Sequence, residues 1–378
     1  MTPDVAVVGA GVIGASIARH LAAAGLRVTV HQEGKPLERG STVRSGGLVR
    51  VHHSDPSDAR LTLASLPFFR DHAVGCGYRR TGFALLVGPE HEGTLRANTA
   101  MLTGLGADVR LLSRSELAGL RPELRLDGVA AAAWEPDGGY VDPAATCRAL
   151  LDGAVAAGAV LRDGDPVTGL EVRGGAVVGV RTRHGVRPAG AVVVAAGPWT
   201  PAVLAGTGVA LPIVPRRIAS AVVPVSGGLP CTVIDDTTGL YFRPDGRAGV
   251  FFGVPTGRPP GDADAAEGPP DRGTVADTLR LLASRVPAVA GRPVPVGLSG
   301  TDGYTPDGHA VLGPLPGLPG GWVAAGFSGG GAKVAPAVGA ALAAEIGTGA
   351  ARPELAPYRP DRFTAGRPVV HAHPYRNL

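Results

Sequence analysis

The first 33 residues constrain the fold more than any other stretch. Asp4 to Ala10 is mostly apolar, as expected of a strand buried on both faces. Gly11 to Ala24 carries Ile13, Ile17 and Leu21 at helical spacing, and Gly25 stops that helix. Leu26 to His31 reads as a second buried strand. Between the first strand and the helix lies Gly9-Ala10-Gly11-Val12-Ile13-Gly14, a GxGxxG string. Gly9 permits a tight turn, Gly11 lets the backbone approach a pyrophosphate, and Gly14 lets the helix pack on the strand. The helix N-terminus then offers free N–H groups and a positive dipole end to phosphates. Such a string is weak evidence alone. Flanked by two strands, it predicts a dinucleotide site rather than a structural glycine turn. The pattern expects an acid about 20 residues on to hold the ribose hydroxyls. Here Gln32 ends the second strand and Glu33 follows. Gln32 bonds a ribose more weakly than a carboxylate does, and Glu33 supplies a carboxylate only if it turns inward. No Arg occupies that position, which disfavours a 2′-phosphate.

Bulk properties remove several classes. The 378 residues leave room for one large or two interleaved domains. The 58 Gly and 35 Pro are scattered through periodic segments, so they mark turns, not disorder. The net charge is +4, the cations are nearly all Arg, and only Lys35 and Lys333 are lysines. No basic cluster resembles a nucleic-acid footprint. Cys76, Cys147 and Cys231 are far apart, with no metal-ligand or CxxC spacing, and read as buried or inert thiols in a reducing compartment. The first strand begins by Asp4, leaving no space for a signal peptide, and no apolar run reaches membrane-spanning length. The expectation is a cytoplasmic protein with neither nucleic acid, membrane nor metal as partner.

Further along, Ala59 to Ala73 and Asp142 to Gly158 predict helices, and Val160 opens a strand. Leu170 to Arg173 and Val177 to Arg181 flank Gly174-Gly175 as a hairpin. Ala191 to Ala195 and Trp322 to Gly326 are buried strands, and residues 211–254 are strand-rich. Residues 257–273 form a polar Pro/Gly loop, either a solvated surface loop or a lid. Thr274 to Arg285 is helical, and Gly329-Gly330-Gly331 leads into a last helix near Ala332 to Ile346. Those glycines are either a linker or a helix start whose N–H groups stabilise negative charge; the strand before them favours the second reading.

Several segments in fixed order resemble the FAD-dependent family of D-amino acid oxidase, glycine oxidase, sarcosine oxidase and the proline dehydrogenase β subunit. They are the N-terminal glycine motif, Gly40-Ser41-Thr42-Val43-Arg44-Ser45-Gly46-Gly47-Leu48-Val49-Arg50, Gly138-Gly139-Tyr140-Val141-Asp142-Pro143, Val192 to Trp199, Gly239 to Pro244, Tyr304-Thr305-Pro306-Asp307-Gly308, Gly326 to Lys333 and the tail Leu355 to Phe363. The resemblance covers nearly the whole chain. It implies an α/β (α+β overall) fold: a Rossmann-like FAD-binding domain with a second, antiparallel-sheet substrate domain. The expected cofactor domain takes residues 1–77, 141–205 and 296–350, the substrate domain 78–140 and 206–295, and 351–378 form a C-terminal tail.

The expected FAD contacts are Gly9, Gly11, Val12, Ile13, Gly14, Gln32 and Glu33 near the first turn, then Ser41, Thr42, Arg44, Gly46 and Gly47. Val167, Ala196, Gly197 and Trp199 follow, and Gly329, Gly330, Gly331 and Lys333 complete the set. Val167 is either an adenine contact or plain core. In sarcosine oxidases a Cys before the Thr-Pro-Asp stretch holds FAD covalently; Gly300 stands there, so FAD is expected to be non-covalent. By the same resemblance Arg50 and Lys333 clamp a substrate carboxylate, as a guanidinium fork suits that group, although Arg50 in a structural salt bridge is the competing reading. Tyr241 matches a tyrosine over the substrate, or is a half-buried strand residue. His52 or His53 could tune amine protonation. Phe251 occupies the place of an oxygen-activating lysine, and Ser299 that of the glycine oxidase-type arginine. The expected reaction is oxidation of a C–N bond in an amino acid or in an N-substituted or cyclic amine. Hydride passes to the flavin, an imine forms, and O2 is reduced to H2O2. The alternatives are a flavin subunit of a dehydrogenase complex that reduces a partner or quinone, and a non-catalytic flavin- or NAD-binding protein.

Overall fold

The computed structural model describes residues 2–226, 229, 231–246, 249–256, 261–264 and 268–376. Residues 257–260 and 265–267 of the Pro/Gly-rich loop lie outside the described residues. Among those described, the strands form a six-stranded, an eight-stranded, a three-stranded and a two-stranded sheet.

The six-stranded sheet holds the N-terminal unit. Val5–Val8 sits between the parallel strands Ala191–Val194 and Val28–His31. Val160–Arg162 adds outside Val28–His31, and Gly321–Ala325 outside Ala191–Val194, both parallel. Val311–Pro314 closes one edge antiparallel. Val5–Val8 is buried at every position because both faces are covered. On one face lie the helices Val12–Ala23, Pro143–Ala156 and Gly331–Thr348, joined in one core through Ile17, Leu21, Leu150, Val338 and Leu342. The three-stranded sheet Val167–Arg173, Ala176–Thr182 and Gly185–Pro188 covers the other face through Leu170, Val177 and Val180.

Local chemistry starts these helices where they start. The Asp142 carboxylate accepts from Ala144 N at 2.9 Å and Ala145 N at 3.0 Å, with Pro143 opening the helix. Asp55 caps Pro56–Asp71 by accepting from Ser57 N at 2.8 Å. Val12–Ala23 and Gly331–Thr348 differ: each has glycine at its N-cap and no side-chain cap from it. The first and last helices cross closely, because a Cβ on Gly339 would lie 2.2 Å from Ser16 Oγ.

The eight-stranded sheet runs Leu298–Tyr304, Val214–Pro224, Gly249–Val254, Leu240–Asp245, Thr232–Asp235, Phe83–Val87, Ala131–Glu135 and Arg110–Ser113. It departs from the antiparallel expectation at one pair: Thr232–Asp235 and Phe83–Val87 are parallel. A long crossover through the cofactor domain joins them, and such a connection permits parallel pairing. Leu298–Tyr304 also differs from the expected division at residue 296, because it pairs along Val214–Pro224 in this sheet. The helix Arg272–Arg285 packs on the sheet through Val275, Leu279 and Leu282.

Candidate functional site

A cavity of about 990 Å³ runs from the first glycine turn to the start of the last helix. That is the upper end of the range for ligand pockets, about 300–1,000 Å³. One end lies where the parallel strands stop: Val8, His31 and Ala195 line it beside Gly9, Gln32 and Ala196. Ligands of open α/β sheets bind at such strand ends.

The glycine turn is shaped for close approach. Gly9 has φ +106°, and a Cβ there would lie 2.5 Å from the Ala195 carbonyl oxygen. A Cβ on Gly14 would lie 1.9 Å from the Gly9 carbonyl oxygen. Gly14 therefore holds helix against turn and is not on the cavity wall, whereas Gly9, Gly11, Val12 and Ile13 are. Val12 N–H donates to Thr42 Oγ1 at 3.2 Å, tying the second glycine loop to the first helix. The two candidates for the ribose acid separate. Gln32 Oε1 accepts from Ala10 N at 2.9 Å and so braces the turn. Glu33 lies 3.6 Å from Arg39 in an exposed ion pair, still at the cavity rim.

Ser41, Thr42, Arg44, Gly46, Gly47, Val167, Ala196, Gly197, Trp199, Gly329, Gly330 and Gly331 all line the cavity. Arg44 donates through Nε to Ser299 O at 3.0 Å, and its Cγ lies 2.6 Å from where a Cβ on Gly300 would be. Arg243, absent from the sequence-based set, anchors the Gly46–Gly47 loop. Its Nε donates to Gly46 O at 2.6 Å, and its guanidinium lies 4.4 Å from both the Tyr140 and Phe251 ring centres. Asp302 was also missed. It is buried and accepts from Gly303 N and from Gly329 N, each at 2.9 Å, which fixes the glycine run before the last helix. Burial raises its carboxyl above the usual range despite these bonds.

The other end of the cavity is lined by Arg50, His53, Asp58, Tyr241, Tyr304 and Lys333. Arg50 donates to the His52 carbonyl oxygen. Among the described residues no salt bridge joins Arg50 or Lys333 to a carboxylate, although Glu135 and Asp58 act on the charges of both. Burial, then the Arg50 charge, brings Lys333 down to about 7, and burial brings Arg50 down to about 10. Glu135 and Asp58 offset part of this charge without pairing to either cation, and buried Lys333 beside partly buried Arg50 forms a wall suited to an anion. Tyr241 lies across Gly253, where a Cβ would be 2.0 Å from Cε1, and burial raises its phenol to about 12. It stays a hydroxyl donor at neutral pH.

His52 is not on the cavity wall, contrary to its place in the expected site. Its Nε2 pairs with Tyr375 Oη at 2.8 Å and it is fully buried. Strand alternation explains this: adjacent residues of an extended segment face opposite ways, and His53 takes the cavity side. Glu135 pins the segment by accepting from Val51 N and His52 N, each at 2.7 Å.

The cavity fits a dinucleotide with a flavin: a glycine cradle without room for Cβ atoms, a continuous volume, and the uncapped start of the last helix at its far end. Fold and site together define a dinucleotide-binding oxidoreductase. Residues 4–345 match the family described as FAD dependent oxidoreductase, and the chain belongs to that family. It is 27% identical over 349 residues to mitochondrial dimethylglycine dehydrogenase of Mus musculus, covering 86% of this chain and 40% of that protein. The chain thus spans well under half the length of the first relatives it matches. It is 28% identical over 387 residues to the peroxisomal sarcosine oxidase of Homo sapiens, covering 95% of this chain and 96% of that protein. Among solved structures, L-proline dehydrogenase from P. horikoshii superposes with a TM-score of 0.90 at 26% identity, covering 97% of this chain and 99% of that one. FAD is the cofactor of the family, as the resemblance implied. No helix among the described residues is long and apolar enough to cross a membrane.

Proposed function

We propose that the protein oxidises the C–N bond of a small amine that carries a carboxylate, an amino acid or an N-substituted or cyclic relative. The observation that carries this is the pair Arg50 and Lys333, cations that line the cavity with no salt bridge to a carboxylate among the described residues, although the charges of Glu135 and Asp58 reach both. FAD, when bound, supplies the acceptor for a hydride from the carbon beside nitrogen. Arg50 and Lys333 hold the substrate carboxylate, and the Tyr241 hydroxyl donates to it or meets the amine. Closure of this end by apolar Ile234 and Leu240 limits water at the reacting carbon. Gly9, Gly11, Thr42 and the backbone at Gly329–Gly331, where Gly331 opens the last helix, hold the cofactor. The attachment is non-covalent: Gly300 has no side chain and Arg44 fills the space beside it. The imine product leaves for hydrolysis in solution, and O2 takes the electrons to give H2O2.

A second reading has specific support. Phe251, an apolar ring, stands where sarcosine oxidases carry an oxygen-activating lysine, which favours transfer to a partner or quinone. One experiment separates these readings. The holoenzyme is mixed anaerobically with amino acids and with cyclic and N-methylated imino acids, and flavin bleaching is followed. Bleaching by a carboxylate-bearing amine is the expected outcome, and peroxide on re-aeration marks the oxidase. Bleaching without peroxide marks the dehydrogenase, and no bleaching with any amine defeats the proposal. Acid precipitation should leave a yellow supernatant; a yellow pellet would show a covalent link.

A further inference from the structure

A row of ionisable side chains leads away from the substrate end of the cavity. Asp58 Oδ2 lies between two imidazoles, 3.7 Å from His53 Nδ1 and 3.1 Å from His309 Nδ1. Its Oδ1 accepts from Tyr358 Oη at 2.7 Å. His309 Nε2 lies 3.2 Å from His371 Nε2, with the rings stacked at 4.9 Å. His371 Nδ1 meets Ser54 Oγ at 2.7 Å. At the inner end, His53 Nε2 is buried without a hydrogen-bond partner, on a residue that lines the cavity. At the outer end, His371 is half-buried and is followed by exposed residues of the tail.

We propose that His53, Asp58, His309 and His371 form the route by which the proton of a bound substrate ammonium reaches solvent. This rests on the amine-oxidation reading. An ammonium nitrogen has no free electron pair, so a hydride cannot leave its carbon until one N–H proton is gone. The N–H bond breaks and its electron pair stays on nitrogen, while the proton joins His53 Nε2. A proton leaves His53 Nδ1 for Asp58, and one moves from there to His309 Nδ1. His309 Nε2 gives its proton to His371, which releases one to solvent. One proton enters and one leaves, and nothing is oxidised. Two contacts must adjust: the 3.7 Å one must shorten, and His309 Nδ1, which makes no hydrogen bond at 3.1 Å, must align with Asp58; catalytic hydrogen bonds are often long or poorly aligned before substrate binds.

Burial works against Asp58 ionisation, but His309, His53 and Tyr358 hold its carboxyl below the usual carboxylate range, so it passes a proton on rather than keeping one. His53 faces Arg50, His52, Lys333 and Asp58. Burial and then the Arg50 and Lys333 charges keep its imidazole neutral and ready to accept; a carboxylate bound to those cations offsets their repulsion of the incoming proton. His309 faces Asp58, Asp55, Asp307 and His371, and it carries charge more readily than an ordinary histidine because Asp58 outweighs burial. Arg362 also donates to the His309 carbonyl oxygen at 2.9 Å. His53 is the acceptor; Asp58, His309 and His371 act through it.

The test is the limiting rate of anaerobic flavin bleaching in holoenzyme, at saturating amine, across pH. Wild type, His53→Gln and His371→Ala are compared. At about pH 7 His53→Gln should be roughly 10²-fold slower, the usual scale of a lost proton acceptor. His371→Ala, with its thermal melt and flavin content compared with wild type because it also loses the Ser54 and His309 contacts, should be slower in the same sense and by less. Near about pH 10, where a substantial share of an alkyl amine with a pKa of about 10.4 is already neutral before it binds, the deficit of both variants should shrink markedly. An equal loss at every pH, or no loss in either variant, overturns the relay while leaving amine oxidation standing. A wild-type flavin that no amine bleaches instead removes the functional reading, and the relay with it.

Discussion

Arg50 and Lys333 are 283 positions apart in sequence, yet their charges are coupled at one wall of the cavity. Replacing Arg50 by Ala should raise the apparent KM for a carboxylate-bearing substrate by roughly thirtyfold or more, matching the 2–5 kcal/mol scale for truncating a buried charge contact. Flavin content should not change; unchanged kinetics would remove the clamp. Lys333 supplies a pH test. Its ammonium form prevails below about 7, so a small carboxylate without an amine should bind best there. Affinity should fall as pH rises through and above that value, because the lysine charge is lost while Arg50 keeps its own. Titration of the flavin absorbance reads this directly, and a flat profile between about pH 6 and pH 9 would show that Lys333 does not hold the anion.

Among the elements, the strand–turn–helix at the N-terminus tolerates least. Gly14→Ala drives a methyl into the Gly9 carbonyl, and overpacking of this kind costs about 1–3 kcal/mol. A lower Tm together with reduced flavin occupancy is expected, since the displaced carbonyl belongs to the cofactor turn. Gly93 offers the contrast. It lies inside the helix Glu92–Gly104, where a Cβ meets nothing within 4 Å. Gly93→Ala should therefore raise stability by about 0.4–1 kcal/mol, mainly by restricting the unfolded chain. Thermal melts of the two variants side by side separate a glycine required by packing from one that is not.

At the scale of the molecule, the C-terminal tail ties the parts together. Arg362 donates through Nε to Asp307 Oδ2 at 2.8 Å and through Nη2 to Oδ1 at 3.0 Å, and Val369 N reaches Oδ2 at 3.1 Å. Beyond it, Asn98 Nδ2 donates to His373 O at 2.9 Å, and Tyr375 pairs with His52, so the tail spans from the cofactor side to the eight-stranded sheet. Arg362→Ala takes the cation from Asp307 and leaves its backbone donors Val369 N and His309 N, a change that costs less than the roughly 3–5 kcal/mol of a buried charge left with no partner. Earlier proteolytic cleavage of the tail and a lower Tm should follow. Acid sensitivity has a definite sign. Burial works against Asp307 ionisation, but Arg362 and its backbone donors prevail and hold it at about 2. Its contribution is complete above the ordinary carboxylate value and disappears as pH falls through about 2. Arg362→Ala should remove that part of the acid transition.

The N-terminal unit and the cofactor class were legible in the sequence, because a glycine turn acts through backbone shape at fixed local spacing. Gly9 with its positive φ and Gly14 against the Gly9 carbonyl are understood locally, although the approach of Gly9 to Ala195 comes from a distant strand. The first and last helices were legible for the same reason, being periodic apolar runs ended or begun by glycine. What lay beyond local spacing was not. Periodicity could not tell His52 from His53, since that choice depends on which side of one extended segment Glu135 and the cavity occupy. Arg243, Asp302, His309 and His371 gave no local signal, because their partners are brought to them from distant segments. Leu298–Tyr304 joined the substrate sheet for a similar reason: strand pairing depends on a partner over 70 residues away, and short-range sequence carries no record of it.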